Sequence, residues 1–166
     1  STEALGSFKQ GKHAGTFGFT GVLSFNGNKI ISTGGGGMIL TNDKDIANRA
    51  KHITTTAKTD PLDYVHDEVG YNYRLVNVLA AIGVAQMEKF ESILARKKEI
   101  DALYKRELFG VGDIIFQESD SSSSPNCWLF TFRTKKMRDL LNHLIKNSIQ
   151  SRPFWTPMNN LPMYKN

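Results

Sequence analysis

The stretch GVLSFNGNKIISTGGGG, residues 21–37, decides how the rest of the chain is read. Val22 to Phe25 is a short apolar run of the kind a buried strand supplies. Four glycines, Gly34 to Gly37, follow, and Gly37 to Leu40 forms a second apolar run. Between the two runs stands one lysine, Lys29. Thr41-Asn42-Asp43 then offers a helix cap, and Asp45 sits where the helix dipole favours a carboxylate. Ile46, Ala47, Ala50 and Ile53 continue at helical spacing. Strand, glycines, strand, helix is an α/β pattern.

Lys29 needs an explanation. A Walker A loop requires four residues between its first glycine and a Gly-Lys-Ser/Thr triplet. Here five residues separate Gly21 from Gly27, Asn28 intervenes before Lys29, and Ile30 follows. No glycine fingerprint of the dinucleotide type opens a helix. Metal chemistry finds little support, because His13, His52, His66 and His143 form no pair at helical spacing. His66-Asp67-Glu68 reads as a polar loop surface, and no metal is expected. Cys127 and a histidine could meet as a nucleophile pair, but a buried cysteine acting as a small hydrophobe is the simpler reading. What remains for Lys29 is a solvated or structural amine, or a Schiff base. The latter requires burial or a neighbouring cation to release the amine from its proton.

Working outward, 166 residues with 40% hydrophobic and 22% charged side chains suit a globular protein rather than a disordered one. No apolar run approaches a bilayer span, and no signal-peptide pattern opens the chain. The single cysteine points to a reducing, cytoplasmic setting. The net charge of +5 is spread without a basic block or interleaved aromatics, so nucleic acid is not an expected partner. Residues 58–74 lack a period and are expected to form a functional or interface loop. Leu75 to Phe90 is apolar on nearly all sides and predicts a helix buried all round. It is expected to run on through Ile93, Leu94, Ile100, Leu103 and Tyr104, with Arg96 to Glu99 on the wet side. Glu118 to Asn126 reads as a polar, serine-rich loop and Cys127 to Phe132 as a strand. Lys136 to Lys146 reads as an amphipathic helix and Ile149 to Trp155 as a further strand.

Several ordered blocks carry a resemblance. They are Glu3 to Ser7, Gly15-Thr16-Phe17-Gly18, Ser24 to Lys29, Thr33 to Met38, Gly70 to Leu75, Ala80 to Gly83 with Gln86, and Ser151-Arg152-Pro153. Together they resemble the sugar-nucleotide aminotransferases of the DegT/StrS type, pyridoxal-phosphate (PLP) enzymes of the aspartate-aminotransferase fold. The resemblance implies an α/β chain holding the C-terminal part of a fold type I large domain plus a partial α+β small domain. Its expected divisions are 1–88 (partial PLP-binding large domain), 89–109 (a connecting long helix) and 110–166 (partial small domain).

In that family the lysine of the SF-x-x-x-K motif binds PLP covalently and then shuttles protons, which implies that role for Lys29. Ser24 would hydrogen-bond the cofactor phosphate. Asn72 would reach across a homodimer interface to the neighbouring subunit's phosphate, and Glu3 would lie near the cofactor's ring hydroxyl. Tyr73 and Arg74 are candidate substrate contacts. The family's pyridine-binding aspartate would fall just before Ser1, so the chain reads as an internal fragment of a longer enzyme, by itself expected to be inactive. The motifs are most similar to the branch acting on UDP-4-keto-6-deoxy-N-acetylhexosamines, as in bacillosamine and legionaminic-acid pathways. Asn159 stands where that branch commonly has His. The implied reaction moves an amino group from L-glutamate to C4 of a nucleotide-linked 4-keto sugar, in bacterial surface-glycan synthesis. The alternatives are a non-catalytic binding or regulatory protein on the same fold, or an inert truncated fragment.

Overall fold

A computed structural model describes residues 2–164. Its elements run β1 (Phe8–Lys9), β2 (Lys12–His13), β3 (Gly21–Ser24), β4 (Gly37–Leu40), α1 (Lys44–Thr54), β5 (Lys58–Asp60) and β6 (Val65–His66). They continue with α2 (Asn77–Glu88), α3 (Phe90–Leu108), β7 (Ile115–Phe116), β8 (Ser123–Ser124), β9 (Phe132–Arg133) and α4 (Met137–Lys146). The chain forms two compact units. The first takes in the chain up to Glu107 together with Glu118–Phe130; the second comprises Leu108–Gln117 and the chain from Thr131 on.

The centre of the first unit is the hairpin read from the opening stretch. β3 pairs antiparallel with β4, Gly21 opposite Leu40 and Ser24 opposite Gly37. Alternation along β3 sends Leu23 inward, where it joins Phe25, Ile30 and Ile31 in the core, with Leu5, Phe90, Ile93 and Trp128 packed around them. The glycines have distinct jobs. Gly36 adopts a left-handed φ of +86°, and a Cβ there would lie 2.6 Å from a Leu75 methyl. A Cβ on Gly37 would lie 2.5 Å from the Leu23 carbonyl oxygen, so the hairpin can close only around bare backbone. α1 starts at Asp43, whose carboxylate accepts from the Asp45 and Ile46 amides at 2.9 and 3.0 Å. β1 pairs with β2 on one side and with β8 on the other. In the second unit β7 pairs with β9, and α4 buries Leu141.

Several sequence expectations are corrected. Residues 58–74 are not featureless: β5 and β6 form a short hairpin, whose turn is held by Leu62 and Asp63 amides donating to the Asp60 carboxylate. The helix from Leu75 onward is interrupted at Lys89, so α2 and α3 are separate. α2 is not buried all round: Val78 is 72% and Val84 61% exposed, and none of its residues is buried. One side meets the hairpin, where a Cβ on Gly83 would come within 3.1 Å of the Thr33 methyl. Apolar sequence reports everything that covers a helix, and the described residues cover one side of this one.

The serine-rich loop contributes β8. The strand expected at Cys127 to Phe132 shrinks to Phe132–Arg133, because Cys127 takes a left-handed φ of +51° that breaks extension. Ile149 to Trp155 is irregular; Pro153 removes a ladder donor there. The chain exposes 12725 Å², about half as much again as the roughly 8,200 Å² of a self-contained monomer of 18.6 kDa.

Candidate functional site

Lys29 sits in the turn that links the hairpin strands. Its amide donates to the Asn26 carbonyl at 3.0 Å, and the Thr33 amide donates to the Phe25 carbonyl at 3.0 Å, closing the loop on itself. The next two residues, Ile30 and Ile31, are core side chains, 7% and 1% exposed. Burying this pair fixes the backbone at Lys29, whose side chain is only 12% exposed. The ammonium donates to the Glu3 carboxylate at 2.6 Å, and that side chain is 48% exposed. The hydrogen bond from Lys29 is the main cause holding the Glu3 carboxyl below its ordinary range, with a smaller contribution from Thr2.

Lys29 and Glu3 line a hollow with Thr2, Leu5, Ser24, Ile30 and Ile31, too tight in this structure to admit a water molecule. Ser24, at the end of β3, accepts from the Asn26 amide at 3.4 Å, which leaves its hydroxyl hydrogen to be donated. Three of the residues picked out by sequence (Lys29, Glu3 and Ser24) therefore meet in one place. An amine can bind an aldehyde and a hydroxyl can donate to a phosphate, so by their chemistry these residues fit a phosphorylated aldehyde such as PLP, which the hollow would have to open to receive.

Asn72, Tyr73 and Arg74 are elsewhere. The Tyr71 amide donates to the Ile53 carbonyl at 2.8 Å and the Tyr73 amide to the Thr54 carbonyl at 3.0 Å, pinning this segment along the end of α1. A Cβ on Gly70 would collide with the Thr56–Ala57 backbone, so only glycine lets the two segments touch. Asn72, Tyr73 and Arg74 are all exposed, and Tyr73 stacks on Tyr71 at 5.1 Å. None of the three lines the Lys29 hollow.

The polar cluster is rearranged. His66 turns away to the Thr56 carbonyl at 2.6 Å, and His52 from α1 takes its place, 2.7 Å from Asp67 and 3.5 Å from Glu68. His52, Asp67 and Glu68 could hold a metal ion by distance, but Arg49 also pairs with Glu68 and puts a fixed positive charge there. Two residues near Lys29 escaped the sequence reading, Asn126 and Trp128. No local pattern announces them, because they approach the lysine only through the tertiary fold.

A hairpin presenting a sheltered lysine is followed in the chain by two helices and a small α/β module, an arrangement shared with solved aminotransferases. The structure matches the aminotransferase TlmJ from Streptoalloteichus hindustanus with a TM-score of 0.93 at 24% identity, covering 100% of this chain and 46% of that one. The profile of the DegT/DnrJ/EryC1/StrS aminotransferase family matches residues 1–166, and the chain belongs to that family. It is 38% identical over 165 residues to the GDP-perosamine synthase of Escherichia coli O157:H7, covering 98% of this chain and 45% of that protein. It is 33% identical over 109 residues to the UDP-4-amino-4,6-dideoxy-N-acetyl-beta-L-altrosamine transaminase of Campylobacter jejuni subsp. jejuni serotype O:23/36 (strain 81-176), covering 64% of this chain and 29% of that protein. The chain thus spans less than half the length of these relatives. No helix among the described residues is long and apolar enough to cross a membrane.

Proposed function

We propose that this chain is the lysine-bearing part of a PLP-dependent aminotransferase that converts a nucleotide-linked 4-keto-6-deoxy sugar to its 4-amino sugar. L-glutamate is the amino donor, and the product serves bacterial surface-glycan synthesis. The observation that carries this reading is the Lys29 amine, sheltered in a hollow with Glu3 and Ser24 inside a chain that matches the family over its whole length.

When bound, PLP supplies the carbonyl that an amine attacks and the ring that draws electrons from the carbon losing a proton. Lys29 Nζ would hold that carbonyl group, and as a free amine it would take up and return the proton that the donor's α-carbon gives up. Glu3 accepts a hydrogen bond from the protonated amine and keeps it in reach between these two duties. Ser24 donates its hydroxyl hydrogen to the phosphate. Asn72, displayed on a segment pinned to α1, serves the phosphate of a neighbouring copy, with Tyr73 and Arg74 turned to the substrate. That sharing supports a homodimer whose second protomer covers the exposed face of α2. The lone cysteine supports a cytoplasmic enzyme.

The test is incubation of the full-length protein with PLP, L-glutamate and the 4-keto sugar, offered in parallel as the GDP- and UDP-linked forms. Amino sugar and 2-oxoglutarate in equal amounts are expected from one of them, and from neither with Lys29→Ala. Product from the Lys29→Ala protein would sink the assignment.

A further inference from the structure

Trp128 clasps the Lys29 turn from about a hundred residues further along the chain, and Asn126 holds the neighbouring Glu3 segment. The Lys29 ammonium lies 4.4 Å from the centroid of the Trp128 ring. The indole N–H of the same side chain donates to the carbonyl of Asn28 at 2.6 Å. One residue therefore holds both the head group of the lysine and the backbone just before it. Asn126 is buried, 6% exposed. Its amide nitrogen donates to the Glu3 carbonyl at 2.7 Å and the Leu5 carbonyl at 2.9 Å, while its side-chain oxygen accepts from the Trp128 amide at 3.1 Å. The segment bearing Glu3 and the ring beneath Lys29 are thus fastened to one another.

We propose that Trp128 is a positioning residue for the Lys29 amine, and that Asn126 anchors it together with the Glu3 segment. The inference rests on the reading of Lys29 as the cofactor lysine. An ammonium is attracted to the face of an indole more strongly than to any other side-chain ring. Lys29 is otherwise a flexible four-carbon stem that must return to the same place after each release. The charged group paired with the ammonium is the Glu3 carboxylate, and Lys97 from α3 reaches the Trp128 carbonyl oxygen at 3.4 Å. Ring and carboxylate together hold the head group at the wall of the hollow. A side chain that merely filled space could be exchanged for leucine without changing how readily the Lys29 amine reacts.

The experiment uses the full-length protein stripped of cofactor, with the time course of reductive methylation of Lys29 followed by mass spectrometry at one fixed pH. In Trp128→Leu labelling is about three- to tenfold faster, because the head group has lost the ring that holds it. Trp128→Phe, which keeps a weaker ring face, falls between. With PLP restored, Trp128→Leu loses about tenfold in kcat at unchanged KM for glutamate, and phenylalanine recovers part of it. A folded Trp128→Leu protein whose labelling curve superimposes on the parent overturns the proposal. Should leucine prevent folding, an unchanged curve for Trp128→Phe overturns it equally. Because labelling is read without cofactor, a protein that fails to transaminate refutes the functional reading alone and leaves this result intact.

Discussion

Lys29 and Glu3 depend on each other, and their pairing has a sign in pH. Glu3 is held below its ordinary range chiefly by the Lys29 hydrogen bond. Its contribution to stability is therefore present above the ordinary carboxylate range and disappears as pH falls through the lowered value. With the Glu3 side chain about half exposed, solvent screens the pair to less than about 1 kcal/mol. Urea unfolding of the full-length protein and Glu3→Gln should differ slightly at neutral pH and converge in acid; a gap that widens in acid would reverse this argument. Lys29→Arg keeps the positive charge but offers no nucleophilic amine at neutral pH. It should lower kcat by about 10²–10⁴-fold and abolish borohydride-trapped PLP, read by peptide mass spectrometry.

At the scale of elements, the glycine tract is what lets β3 and β4 close beside the start of α2. Gly36→Ala would place a Cβ against Leu75 in a left-handed conformation, destabilising the fold by about 1–3 kcal/mol, read as a lower unfolding midpoint. Asp43→Ala removes two accepted amide bonds at the start of α1 and should cost about 1 kcal/mol by the same measurement. Both sites were legible in the sequence, because turn glycines and caps act through near neighbours. So were β3, β4, α1 and α4, whose patterns are local. Strands at 127–132 and 149–155 were misread for the complementary reason. An apolar run specifies burial, whereas a strand also needs a partner edge and an unbroken row of donors. Asn126 and Trp128 were invisible for a similar cause, since their partners Leu5 and Asn28 lie 121 and 100 residues away.

For the whole molecule, exposed apolar surface is widespread, and α2 carries part of it at Val78 and Val84. Val84→Glu places a charge on a face that the proposed dimer buries. It should convert the full-length protein from dimer to monomer in light scattering and weaken PLP retention, while Val84→Leu leaves both unchanged. The clasp has a consequence of another kind, for the order in which the protein is made. At about 5–20 residues per second, synthesis needs about 5–20 s to travel from Lys29 to Trp128. Through that interval the hairpin can form while its lysine has no lid. The amine thus waits on the ribosome for its indole partner, which a much later segment brings.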